Sequence, residues 1–578
     1  MNQDTEHPAW YRNPEIWVAL LTLLVRFWFL MRLQDSPFFV PIPGGNDRSL
    51  YNGLAQNIAK GHIFPEGVFA YMPLYPWCLG LLYAIVGSTP EANICAAGLV
   101  GAMLDAATTF MIVRLARRLG ASPYVASAMG ILYALYPTAI IYSTTIMPNT
   151  LNAFLLMTFV VATRTLGTSP SRLRWFGAGL LAGVIALGFA GMLLILMICL
   201  ANWAVCQVRR RAFNPLNLVC CLAGMALPIF PATLHNWRAE HQFVLVTAHG
   251  GFNFYMGNNP DATGYPIQIS TFRGDAGSLL VDARAEAERI EGRKLTAAEF
   301  SAHWSDRAWK YIRENPGAEG RLLGLKFLKF WNRVDYDDMR FEPMLRLSDV
   351  AFTWPTWPGF VWIAWLGFAG LVLARGAGWL KLVVLSGLIG VIGFFITARY
   401  RLTFAPLLCV LGALGIHELI VVFCDPARAR LKVIGTALVF VVTGAIAFLP
   451  LSQTDFRALD HLNTAAYLME RKMPAMALEQ AISGIRISPY NAELRFVEGN
   501  AFMGLRQPKD AVAAYAAALE IKPSHAPAHF NMAQAWMELN EPQNAAAEAL
   551  LALKNDPKHP HAWEVLEEAR QRMQKINP

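Results

Sequence analysis

Residues 73–87 read PLYPWCLGLLYAIVG, and whether this stretch crosses a bilayer decides how everything around it is oriented. It is apolar throughout. A helix of about fifteen residues rises only ~22 Å, short of a ~30 Å hydrocarbon core. Pro73 and Pro76 open it and Gly87-Ser88-Thr89-Pro90 closes it. Loop charge settles its status. If it does not span, Arg114/Arg117/Arg118, Arg164/Arg172/Arg174, Arg209/Arg210/Arg211, Arg375/Lys381 and Arg428/Arg430/Lys432 all fall on one side of the membrane. The opposite short turns, 143–146, 188–191 and 398–401, carry only Arg399 and Arg401. Basic loops favour the cytoplasmic side, so 73–87 reads as a hydrophobic helix along the outer interface.

The spans around it follow. Apolar runs occupy 15–33, 92–113, 123–142, 146–163, 176–208, 215–234, 354–374, 379–397, 402–423 and 432–450. The run 176–208 would be roughly 50 Å long as one helix, so Gly188 and Gly191 are expected to break it into two short spans. That makes eleven. Composition agrees: 55% of the 578 residues are hydrophobic and 16% are charged, too apolar for a soluble chain of this length. The net charge of +8 lies largely in loop arginines and does not indicate nucleic-acid binding. Residues 1–14 are polar and the first apolar run lacks a small-residue cleavage site, so no signal peptide is expected.

The expected organisation is a transmembrane module 1–234 with a first outer loop 34–91, a mixed outer loop domain 235–353, transmembrane helices 354–450, and a soluble region 451–578. With a cytoplasmic N-terminus, both loops and the C-terminal region lie on the outer, periplasmic-type side. All eight cysteines fall in or beside apolar runs, so no disulfide framework is expected.

The C-terminal region changes character. Pro489, Pro523 and Pro557 are spaced by 34 residues, as are Ala477, Ala511 and Ala545, and Gly484, Ala518 and Ala552. Ala465, Gly499 and Ala533 keep the same period. Small residues let paired helices approach and the proline ends each unit, the pattern of a tetratricopeptide α-solenoid with a capping helix over 559–574. Such arrays bind peptides or proteins, so a protein partner is expected.

Three clusters can carry chemistry. Asp47 follows Gly44-Gly45-Asn46 in the first outer loop and precedes Tyr51 and Ala55 at helical spacing. A carboxylate at a helix start is favoured by the dipole, and an acid at the mouth of a membrane domain can take a proton where lipid-borne and aqueous substrates meet. The second cluster is Gly250-Gly251-Phe252-Asn253-Phe254-Tyr255-Met256-Gly257-Asn258-Asn259. Its amides and aromatics suit a sugar or headgroup, and equally a β-turn with a solvated edge. The third is Ala398-Arg399-Tyr400-Arg401-Leu402. Its two outer arginines run against the charge bias, and their planar forks suit phosphate oxygens as well as snorkelling into headgroups. Asp105, inside a span, is either functional or a buried hydrogen-bonding partner. No histidine has convincing ligand spacing. No cofactor is assigned, and dependence on a divalent metal is undecided.

Together these stretches resemble the polyprenyl-phosphate-sugar glycosyltransferases of the GT-C class, in the protein mannosyltransferase/aminoarabinose transferase branch. The matching pieces are Asp47-x3-Tyr-x2-Leu-Ala, the Pro-Leu-Tyr-Pro helix, the loop opening at Gly250, Phe330-Trp331-Asn332, and Ala-Arg-Tyr-Arg-Leu, over roughly residues 10–450. The resemblance implies an all-α polytopic bundle and an inverting transferase of the bacterial inner membrane. Asp47 would be the base. Arg399 and Arg401 would hold the leaving lipid phosphate, and Tyr51, Asn253, Tyr255, Asn258 and Asp335 would line the substrate site. The donor would be a polyprenyl-phosphate-linked sugar, and the acceptor a glycan, lipid or protein. Asn149 stands where the family often has an acid, and Asp335 where it usually has glutamate. Two alternatives stay in view: a catalytically silent membrane scaffold that recruits partners, and a lipid-linked oligosaccharide polymerase or ligase.

Overall fold

A computed structural model of the protein describes residues 13–36, 39–41, 47–87, 89–168, 171–211, 213–266, 276–336, 358–424, 430–451, 454–557 and 561–576. Among these residues the chain is helical with no strand. It divides after Leu451 into two compact units.

Among the described residues of the first unit six helices are long and apolar enough to cross a membrane: Pro14–Gln34, Pro90–Arg118, Gly191–Arg209, Pro215–Glu240, Ala398–Cys424 and Arg430–Phe448. Residues 123–142, expected as one span, form two helices, Pro123–Ala134 and Pro137–Thr144, bent by 57°. Pro137 has no N–H to donate and its ring opposes a continuing helix, so the chain turns there. Counting that pair as one span gives up to seven of this length among the described residues. The other expected spans contain Asn149–Thr163, Arg172–Ala186, Phe360–Leu373 and Gly378–Gly393, cut short by flanking prolines and glycines. The start of the expected span 354–374 lies outside the described residues.

The break at Gly188 is present, between Arg172–Ala186 and Gly191–Arg209. It is held from outside: the Asn152 amide donates to the Gly188 carbonyl at 3.1 Å, and the Leu74 N–H to that of Leu187 at 3.2 Å. Leu74 begins the 13-residue helix Leu74–Val86, the stretch read as non-spanning.

Helix Ala398–Cys424 is the core of this unit. Every residue from Arg401 to Gly415 is buried, as expected of a helix apolar on all sides. It packs on Phe360–Leu373, Asn149–Thr163, Pro123–Ala134 and Pro90–Arg118. Elsewhere backbones touch directly. A Cβ on Gly179 would lie 1.9 Å from the Cys221 carbonyl oxygen and one on Gly224 2.2 Å from that of Phe176, so only glycine permits the seam between Arg172–Ala186 and Pro215–Glu240. Asp105 is a buried partner. It pairs with Arg26 at 2.7 Å and accepts the Tyr133 hydroxyl at 2.7 Å, tying three helices together.

The loop domain, expected to be mixed, is helical in its described part: Gly250–Gly257, Ala276–Glu291, Ala297–Glu314 and Pro316–Trp331. Thr296 and Glu299 form a capping box at one start. Phe252, Phe300, Trp304 and Phe395 share a small core.

The second unit is a stack of helix pairs: Thr454–Glu470 with Pro474–Ile487, Ala492–Gly504 with Pro508–Ile521, and Ala526–Glu538 with Pro542–Asn555, closed by Ala562–Ile576. The start of the expected capping helix lies outside the described residues. Ala465, Ala477, Ala511, Ala533 and Ala545 are fully buried. The turns within pairs keep the same period: Lys472, Arg506 and Asn540 adopt φ of 58°, 59° and 59°.

Candidate functional site

Asp47 is the first residue of helix Asp47–Ala59; Gly44 to Asn46 lie outside the described residues. Tyr51 and Ala55 are buried on one face of this helix, as the spacing predicts, and it packs on Leu74–Val86. Arg48, also buried, donates to the Phe39 carbonyl at 2.7 Å and so anchors the helix start.

The carboxylate of Asp47 meets Arg399, 352 residues away in sequence: Oδ2 is 2.6 Å from Nη1. The two side chains are 18% and 19% exposed, so the pair is sheltered but reachable. Asn149 joins them by donating its side-chain N–H to the Arg399 carbonyl at 3.0 Å. Four helix starts converge here. Asp47 and Asn149 are the first residues of their helices, Arg399 is the second of Ala398–Cys424, and Tyr75 is the second of Leu74–Val86. The peptide dipole at the N-terminus of a helix favours negative charge nearby.

Tyrosines wall the site. The Tyr51 ring lies 5.9 Å from Tyr71 and 5.6 Å from Tyr75, both edge-on. Burial, then the negative charge of Asp47, pushes the Tyr51 and Tyr71 hydroxyls above the usual phenol range, so both stay protonated donors. His249 packs edge-on to Tyr71 at 6.2 Å. Burial and then Arg284 lower its pKa to about 4, leaving it neutral.

Arg401 is elsewhere. It is 1% exposed, with Nη1 directed to the carbonyls of Lys329 and Asn332, and Nη2 to Val334 and the Asp335 carboxylate. The Phe360 ring covers its guanidinium at 4.1 Å. Asp335 also accepts the Tyr136 and Thr138 hydroxyls at 2.6 and 2.5 Å. Arg401 is sealed and the Asp335 side chain is 17% exposed, and the pair forms a strut fastening residues 329–335 to the helix that presents Arg399. Arg401 is thus committed to the protein's own carbonyls and to Asp335, whose side chain stays part-exposed.

The Gly250 stretch is a short helix and not a turn. Asn258 is spent on structure. It donates to the Phe254 and Gly393 carbonyls at 2.8 and 2.9 Å and accepts from the Lys326 ammonium at 2.7 Å. Tyr255 packs on Trp304 at 4.8 Å, with the Arg307 guanidinium 5.7 Å from its ring. Asn253 is half-buried one turn after His249. Among the described residues no hydrogen bond or ion pair joins Asn253, Tyr255 or Asn258 to Asp47; His249 of the same segment packs on Tyr71, and Tyr255 and Tyr400 pack against the same small core. Sequence reasoning passed over Lys326, a fully buried lysine whose pKa burial lowers to about 8. Its signal was present, since Lys326 and Lys329 share one face of an aromatic-rich helix.

Among the described residues no group of three or more His, Cys, Asp or Glu side chains could hold a metal ion.

No curated protein matches the chain. Among solved structures, the apo oligosaccharyltransferase of Archaeoglobus fulgidus is similar at a TM-score of 0.40 and 16% identity, over 79% of this chain and 59% of that one. The same enzyme tethered to an acceptor peptide gives 0.36 and 15%, over 78% and 57%. This chain thus spans under two thirds of that enzyme's length. The first TPR domain of human RPAP3 is similar at a TM-score of 0.20 and 18% identity, over 21% of this chain and 94% of that domain. The period of 34, the paired helices and a family model converge on one segment: residues 496–560 match the tetratricopeptide repeat family.

Proposed function

We propose that the chain is an integral membrane glycosyltransferase that moves a sugar from a polyprenyl-phosphate carrier to an acceptor with inversion. One observation carries the reading. Asp47 and Arg399, singled out separately as a base and a phosphate ligand, meet at 2.6 Å where four helix starts converge. A base and an anion-stabilising group side by side are what displacement of a phosphate leaving group requires.

In this mechanism the acceptor hydroxyl gives its proton to Asp47 and its oxygen attacks the anomeric carbon from the face opposite the phosphate. The bond from that carbon to the phosphate oxygen breaks, and the electron pair leaves with the lipid phosphate. Arg399 and the surrounding helix N-termini stabilise the charge that develops there. Tyr51 and Tyr71, held protonated, donate to sugar oxygens. Asp335 and Arg401 keep the arginine helix in place. The outer, periplasmic face of a bacterial inner membrane suits the reaction, because a lipid-borne donor needs no nucleotide sugar there. The repeats bring a protein partner or a protein acceptor. That module also favours a second reading, a membrane scaffold without catalysis.

The test is donor consumption. Purified full-length protein, given a polyprenyl-phosphate hexose and an extract containing acceptors, releases polyprenyl phosphate. Asp47→Asn keeps size and hydrogen bonding but lacks the base, and turnover falls about 10²–10⁴-fold. Undiminished turnover in Asp47→Asn removes Asp47 as base; no turnover by the wild type favours the scaffold.

A further inference from the structure

We propose that Arg399 serves two anions in turn. It rests on Asp47 and passes to the donor's phosphate, so donor binding is what frees Asp47 to act as base. This rests on the function proposed above and adds an order to it: donor first, acceptor second.

The geometry poses the problem that the exchange solves. A carboxylate oxygen 2.6 Å from a guanidinium nitrogen already has a strong donor and is poorly placed to take a proton from an acceptor hydroxyl. The phosphate needs the same guanidinium. One arginine cannot give its best hydrogen bonds to both anions at once.

Arg399 is built to change partners by rotating its side chain alone. The backbone leading into and through it is held at three points. Asn149 holds its carbonyl at 3.0 Å, the Ala398 N–H donates to Tyr336 at 2.7 Å, and the Ile396 N–H to Gly264 at 2.8 Å. Its side chain is 19% exposed, whereas that of Arg401 is 1% exposed and bonded on both terminal nitrogens. Of these two arginines, Arg399 is the one whose side chain an incoming ligand can reach. The consequence is protective. Until a donor phosphate arrives, Asp47 is paired and does not activate water.

The probe is a short-chain polyprenyl phosphate without sugar, bound to full-length protein in nanodiscs. Wild type, Asp47→Asn, Arg399→Ala and the double variant are compared. Removing the competing carboxylate in Asp47→Asn tightens binding about ten-fold, the scale of one charge-assisted hydrogen bond. Arg399→Ala loses most of the affinity, and in that background Asp47→Asn brings no gain. An unchanged or weaker affinity in Asp47→Asn overturns the exchange. So does a gain that persists without Arg399, which would mark simple repulsion between Asp47 and the phosphate. If Arg399→Ala binds like wild type, the phosphate role itself fails, and the exchange with it.

Discussion

Arg399 and Arg401 stand two residues apart at the start of one helix and hold different carboxylates. Arg399 Nη1 lies 2.6 Å from Asp47, and Arg401 Nη2 lies 2.5 Å from Asp335. Residues i and i+2 of a helix point about 200° apart, so neighbours in sequence serve opposite sides. Arg399 is 19% exposed and Arg401 is 1% exposed, while their carboxylate partners are about equally open.

This difference predicts different failures. Arg401→Ala leaves the Asp335 carboxylate and several buried carbonyls without their donor, at a cost of roughly 3–5 kcal/mol. Arg399→Ala opens a part-exposed pair and costs about 1 kcal/mol. Thermal unfolding in detergent separates them: Arg401→Ala melts far below wild type or fails to fold, and Arg399→Ala melts near it. Wild-type stability in Arg401→Ala would remove the strut.

Asn149 acts through Arg399. Asn149→Ala loses the hydrogen bond that fixes the Arg399 main chain, so the KM for the donor rises by about ten-fold, the scale of one buried hydrogen bond. The melting temperature changes little, and serine, which can still donate, recovers part of the loss. Unchanged donor KM in Asn149→Ala would show that the clamp does not matter.

What was legible in the sequence depended on the range over which residues act. The repeats were legible because a period of 34 appears in several registers at once, and burial of Ala477, Ala511 and Ala545 follows from it. Tyr51 on the face below Asp47 followed from helical spacing. The break at Gly188 followed from length. The kink at Pro137 was missed because the run is continuously apolar, although the proline was in view. Arg401 was paired with Arg399 by adjacency, which helix geometry undoes. Asn258 resembled a ligand-binding amide, yet its partners Gly393 and Lys326 are remote in sequence, and no local pattern announces them.

His249 gives a pH signature. Its pKa is about 4 in the folded protein against an ordinary value of 6.5, chiefly because it is buried. Between those values the unfolded chain binds the extra proton. Stability from this group is therefore complete above pH 6.5 and is lost as pH falls towards 4, by about 3 kcal/mol at most. His249→Phe, which cannot titrate, has a flatter melting temperature between pH 7 and 5 than wild type. Parallel curves would show that His249 titrates normally.

In the repeats, a Cβ on Gly499 would lie 2.4 Å from the Tyr515 ring. Gly499→Leu overpacks that contact by about 1–3 kcal/mol. Donor consumption in a minimal assay stays at wild-type level, while modification of the natural acceptor, or recovery of a bound partner, declines. Equal loss of both activities would mean that the repeats belong to the catalytic architecture.

On the function proposed above, Asp47 and Arg399 discharge a polyprenyl-phosphate sugar. Lipid extracts of cells lacking the protein test it most directly, by mass spectrometry of the polyprenyl-phosphate fraction. The expected result is that a sugar-bearing polyprenyl phosphate accumulates, that the wild-type gene clears it, and that Asp47→Asn, inserted at equal level, does not. An unchanged lipid profile in the deletion strain, or full clearance by Asp47→Asn, would contradict it.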